Sequence, residues 1–176
     1  MSVRRLAAAL SLLAPFACGP SRPRDAVSDI GVSRSPERAV PLYAFESLDA
    51  RRVSSQAFAG KVVVLAFVAT WDLPSQAQVA FLVEMARRDG PSERIAYAAV
   101  FLQEGKDREL IEVYRTTLGI KFPVAVADRG TLSGAGPFGD VQAVPTVVVL
   151  DKSGHVRFQK VGLAKPDELR GAMSLD

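Results

Sequence analysis

The run Lys61-Val62-Val63-Val64-Leu65-Ala66-Phe67-Val68 constrains the fold more than any other part of the chain. It is continuously apolar after its first residue and rich in β-branched side chains. A strand with one wet face alternates polar and apolar residues. A strand without alternation is buried on both faces, the pattern of a central strand in a layered α/β sheet. The chain around it alternates in the same sense. Leu42 to Ser47 and Arg52 to Ser54 are short extended pieces around Asp49-Ala50, which predicts a hairpin. Ser75 to Arg88 carries Ala77, Ala80, Phe81 and Met85 at helical spacing, with Val79, Leu82 and Val83 widening the stripe. Asp89-Gly90-Pro91 ends that helix. Arg94 to Leu102 is a second buried strand. Asp107 to Leu118 is a helix on Leu110, Ile111, Val113, Tyr114 and Leu118, stopped by Gly119. Pro123 to Ala127 and Thr146 to Asp151 are strands. Gly130 to Gly139 reads as a loop. His155 to Val161 returns as a hairpin partner, and Pro166 to Met173 is a final helix begun by Pro166. The expected class is α/β, a mixed central sheet flanked by helices with an N-terminal β-hairpin extension.

At 176 residues the chain has one-domain length. Its first segment reads as an export signal. Met1 to Arg5 is a short basic start, and Leu6 to Ala17 is an apolar run broken only by Ser11 and Pro15. That length suits a signal core of about 7–15 residues and falls short of the ~20 needed to span a bilayer. The run ends at Ala17-Cys18-Gly19. Residues 1–17 are therefore expected to be a signal peptide. Residues 18–40, rich in Pro, Ser and Arg, are a flexible tether, and residues 41–176 are the folded domain. Ala17-Cys18 resembles a bacterial lipobox, in which the cysteine is acylated and becomes the mature N-terminus. Ordinary cleavage and an uncleaved anchor are the alternatives. Acylation of Cys18 implies a membrane contact through the lipid, on the periplasm-facing side of the cell envelope. Gly19 is compatible with outer-membrane sorting.

The formal charge of +3 overstates how basic the domain is. Without Arg4 and Arg5, 20 basic residues face 19 acidic ones. A near-neutral domain with no basic stripe lacks the footprint of a nucleic-acid binder. Cys18 is the only cysteine, so the chain forms no internal disulfide.

Three stretches together resemble the TlpA/ResA type of thioredoxin-like (redoxin) proteins, over nearly all of Pro41 to Met173. Gly60 to Trp71 looks like the strand that leads into "ATW" at the family's active site. Ala143-Val144-Pro145-Thr146 looks like the family's cis-proline loop. Leu150 to Val156, with Gly162 beyond, looks like the hairpin that follows. The resemblance implies a thioredoxin-like sandwich. It also implies a Trp-Cys-x-x-Cys motif, and here the sequence departs: the stretch reads Trp71-Asp72-Leu73-Pro74-Ser75. Asp72 stands for the nucleophilic cysteine and Ser75 for the resolving one.

That departure removes the family's chemistry. Thiol–disulfide exchange needs a thiolate, whose pKa at a helix N-terminus drops from about 8.5 to roughly 3.5–7.5, and a second thiol that resolves the mixed disulfide. A carboxylate forms no stable bond to sulfur, and a serine hydroxyl is not ionised near neutral pH. No catalytic residue is expected. Asp72 is instead expected to cap the helix, for about 1 kcal/mol, with a functional carboxylate as the alternative. Ser75 is expected to be a tolerated small residue, and Pro74 to suit the first turn. Trp71 belongs either to the core or to a binding surface. Pro145 is cis by resemblance, and its loop either retains peptide binding or only shapes the fold.

The binding residues expected on this basis are Trp71, Asp72, Leu73, Pro74, Val144, Pro145 and Thr146, and the expected partner is a peptide or an envelope protein. No cofactor and no metal site is expected: His155 is the only histidine, and one imidazole with one cysteine makes no ligand set. A redox-inactive binding module is the leading expectation. The rival is an envelope thiol–disulfide oxidoreductase that works with cysteines supplied by a partner.

Overall fold

A computed structural model describes residues 40–103, 107–141 and 143–174. All of them lie in one compact unit, Ser35–Asp176. The expected signal segment, Cys18 and nearly all of the tether lie outside the described residues.

β3 (Val62–Val68) is the central strand that its composition predicts, with every residue buried. It pairs in parallel with β4 (Ile95–Phe101) on one side and antiparallel with β6 (Thr146–Leu150) on the other. β4 pairs in parallel with β5 (Val124–Val126), and β6 antiparallel with β7 (Val156–Val161). The N-terminal hairpin, β1 (Ala44–Ser47) and β2 (Val53–Ser54), joins the same sheet through an antiparallel pairing of β1 with β5. The sheet thus runs β2-β1-β5-β4-β3-β6-β7 and is mixed.

Because side chains alternate along a strand, β3 feeds two cores. Val62, Val64, Ala66 and Val68 pack with residues of α1 (Leu73–Asp89), α2 (Arg108–Thr117) and α4 (Pro166–Met173). Val63, Leu65 and Phe67 pack with Tyr43, Phe45, Phe58, Phe138 and Val141. Phe138 stacks its ring 5.2 Å from Tyr43 and 5.5 Å from Phe67, centroid to centroid. Each large apolar side chain buried in this way stabilises the fold by about 1.5–3 kcal/mol.

Three details differ from the sequence expectation. In α2 only Ile111 and Tyr114 of the expected stripe are buried, and Leu110 and Val113 are exposed. The buried stripe of α1 is Ser75, Gln78, Val79, Leu82 and Met85; Ala80 is exposed and Phe81 only half-buried. Alanine and phenylalanine look apolar enough to face the core. Gln78 takes that face instead: its Oε1 accepts the Ala164 N–H at 2.7 Å, while its amide nitrogen is buried without a partner among the described residues. The Gly130 to Gly139 stretch is also more than a loop. Arg129–Leu132 forms a short helix, α3, begun by Asp128, whose Oδ1 accepts the Thr131 N–H at 2.7 Å. Gly119 stops α2 as expected, at φ 65°, where L side chains are strained.

Candidate functional site

The strand register brings the distinctive sequence segments to one end of the sheet. Phe67 in β3 lies opposite Thr146 in β6, and Thr146 lies opposite Val161 in β7. The Trp71 turn after β3, the Val144-Pro145 turn before β6, and the Gly162 turn after β7 therefore emerge side by side.

At the Trp71 turn, Asp72 caps α1. Its Oδ2 accepts the Ser75 backbone N–H at 2.7 Å and the Ser75 hydroxyl at 2.6 Å. The Ser75 hydroxyl in turn accepts the Ala69 N–H at 3.3 Å. Ser75 is fully buried. It is thus more than a tolerated small residue: it ties the strand end to the helix start. A nucleophile must reach its substrate and give up a proton to a base. This hydroxyl is inaccessible, and both its donor and an acceptor site are committed. Pro74 occupies the first turn of the helix, where its missing N–H costs nothing.

Trp71 lies on the surface, 68% exposed, and Leu73 is 75% exposed. Of the two roles left open for Trp71, the core is excluded. Across from them, the Val144–Pro145 bond is cis. Pro145 and Thr146 are buried and Val144 is half-buried. The Pro145 carbonyl accepts the Gly162 N–H at 2.7 Å, and the Thr146 hydroxyl donates to the Ala143 carbonyl at 2.7 Å. Among the described residues, neither the N–H nor the C=O of Val144 has a hydrogen-bond partner. Val161 and Leu163 extend the exposed apolar surface on the β7 side.

Three polar residues behind this surface were not singled out by sequence reasoning as site residues. Gln103, just past β4, is buried, and its Oε1 accepts the Thr70 N–H at 2.9 Å. Thr70 and Tyr114 are buried with hydroxyls that have no partner among the described residues. Burial, and after it the charge of Asp72, pushes the Tyr114 phenol up to about 12. Tyr114 meets Phe101 edge-on at 5.4 Å. The available signal for Gln103 was a polar residue directly following a wholly apolar strand; Tyr114 was hidden in the stripe of α2, where aromatic rings are ordinary core.

Other chemistries do not assemble. His155 lies at the opposite end of the sheet, where its backbone N–H donates to Asp151 Oδ1 at 2.9 Å, so it cannot pair with Ser75. Among the described residues, no group of three or more His, Cys, Asp or Glu side chains is placed to hold a metal ion. No described helix is long and apolar enough to cross a membrane. A cleft of about 320 Å³ lined by Tyr43, Phe58, Lys61 and Leu150 also lies at the far end of the sheet.

No family model matches the chain. It is 23% identical over 149 residues to the thioredoxin-like protein YneN of Bacillus subtilis, covering 84% of this chain and 83% of that protein. It is 24% identical over 135 residues to the thiol-disulfide oxidoreductase ResA of Bacillus thuringiensis, covering 76% and 74%. Among solved structures it is similar to a thiol:disulfide interchange protein of the thioredoxin family from Chlorobium tepidum. That match has a TM-score of 0.66 and 24% identity, and spans 77% of this chain and 93% of that one. The chain has a thioredoxin-like fold and is similar in sequence to thioredoxin-like and ResA proteins, while its Trp71-Asp72-Leu73-Pro74-Ser75 stretch carries no cysteine.

Proposed function

We propose that this chain is a redox-inactive module that binds extended peptides or partner proteins, carried on the periplasm-facing side of the bacterial envelope by a lipid on Cys18. The observation that carries the binding role is the exposed pair Trp71 and Leu73 beside a cis turn whose Val144 backbone groups have no partner among the described residues. An extended segment laid along that turn gains two main-chain hydrogen bonds from Val144 and buries its side chains against Trp71, the logic of strand addition. Trp71, Leu73, Pro74, Val144 and Thr146 form or frame this surface. Asp72 Oδ2 and the Ser75 hydroxyl bond to each other, and neither residue supplies a leaving or attacking group. The export-like segment and the similarity to thiol–disulfide oxidoreductases support the envelope location. Acylation with two or more chains gives stable anchoring, at about 0.8 kcal/mol per buried CH₂.

Trp71 is the only tryptophan, so its emission reports this surface directly. Titration with an unfolded, cysteine-free polypeptide is expected to shift Trp71 emission saturably. In parallel, the purified chain is expected to leave insulin disulfides intact, while the Asp72→Cys/Ser75→Cys double variant reduces them. Disulfide reduction by the native chain, or an emission that no polypeptide changes, overturns the proposal.

A further inference from the structure

If the Trp71 face binds peptides, the charge on that face decides which ones. Asp72 turns only one of its two carboxylate oxygens inward. Oδ2 accepts both bonds from Ser75, and Oδ1 accepts none among the described residues. No lysine or arginine pairs with Asp72 there. A second carboxylate stands close by in the hydrogen-bond network. Gln103, which holds the Thr70 N–H, points its amide nitrogen at Asp107 Oδ2, at 3.5 Å. Asp107 also lacks an ion pair among the described residues.

Cations on the neighbouring elements have other partners. Arg108, next to Asp107, pairs with Glu46 and donates to the Ser47 carbonyl. Lys160 and Lys165 both face Glu168. The positive end of α1 offsets only part of the Asp72 charge, since a helix terminus carries about half an elementary charge. Asp72, directly after the exposed Trp71, and Asp107 thus keep their charges without a cationic partner among the described residues. Behind it, the buried Tyr114 feels the Asp72 charge.

We propose that this face selects extended peptides carrying a lysine or arginine, whose cationic head is taken by Asp72 Oδ1 against the Trp71 ring. A carboxylate and an indole side by side attract one cation in two ways, by direct charge and through the ring's quadrupole. Leu73 offers an apolar rest for the long aliphatic stem of such a side chain. This deepens the peptide-binding proposal and depends on it.

The test is a Trp71 fluorescence titration of the purified full chain with three short extended peptides that differ at one central residue: Lys, Leu or Glu. The Lys peptide is expected to bind about tenfold tighter than the Glu peptide and several-fold tighter than the Leu peptide. Raising salt to about 0.5 M is expected to narrow the Lys preference, and Asp72→Asn, which keeps a good helix cap, to collapse it. Equal binding of the Lys and Leu peptides, or a preference insensitive to both salt and Asp72→Asn, overturns the charge selection while leaving the peptide surface standing. Failure of all three peptides to bind overturns the peptide surface and the selection with it.

Discussion

The two ends of α1 are finished in opposite ways. At its C-terminal end, Asp89 accepts the Tyr97 hydroxyl from β4 and pairs with Arg170 of α4 at 2.8 Å. Burial alone would raise the Asp89 carboxyl, but the hydrogen bonds from Arg170 and Tyr97 outweigh it and hold it below the usual carboxylate range. Asp89 there takes both its side-chain partners from other elements. At the N-terminal end, Asp72 bonds only within its own turn, Trp71 and Leu73 face outward, and the Thr70 and Tyr114 hydroxyls lie buried without partners among the described residues. One end knits helix to sheet; the other leaves interaction capacity unspent. Unspent capacity is costly for stability and is the ordinary mark of a surface kept for something else.

Substitutions at the two ends are expected to separate stability from binding. Asp89→Ala is expected to have the largest effect on stability, about 2 kcal/mol in urea unfolding. It strands two donors, with the loss discounted because Arg170 is over a third exposed. Its contribution is also pH-dependent. The folded-state value is lowered, so the stabilisation is fully present above about pH 4, the ordinary aspartate value, and is lost as the pH falls through the lower folded value. Wild type and Asp89→Asn are expected to differ by a constant amount from pH 7 down to about 4, and to converge below it. Asp72→Ala is expected to cost about 1 kcal/mol, the worth of an N-cap, read from the same unfolding curves. Trp71→Ala is expected to change stability by less than about 0.5 kcal/mol while weakening polypeptide binding about tenfold or more, measured by calorimetry since the fluorophore is gone. A large loss of stability from Trp71→Ala would erase the contrast, by making Trp71 structural.

Sequence periodicity carried the scaffold because the rule behind it is local. An unbroken apolar run such as β3 has to be covered on both faces, and the turn residues around it bound each element. The Asp72 cap was legible for the same reason: side chain and backbone partner lie three residues apart. What escaped was decided by contacts distant in sequence. Gln78 faces the core because Ala164, far along the chain, offers an N–H. Phe138 caps a core because Tyr43 and Phe67 converge on it. Gln103 and Tyr114 join the site only because β3 and β4 run in register. Ser75 was legible as a replaced position, but not as a buried tie between strand and helix.

The order of the strands also bears on how such a domain behaves in a crowd. Its sheet ends on one side in β2, only two residues long. On the other it ends in β7, whose Arg157 and Lys160 are held in ion pairs with Asp151 and Glu168. Short edges and edges studded with charge resist the sideways joining of one sheet to another. Copies gathered at high density are therefore guarded against polymerising edge to edge.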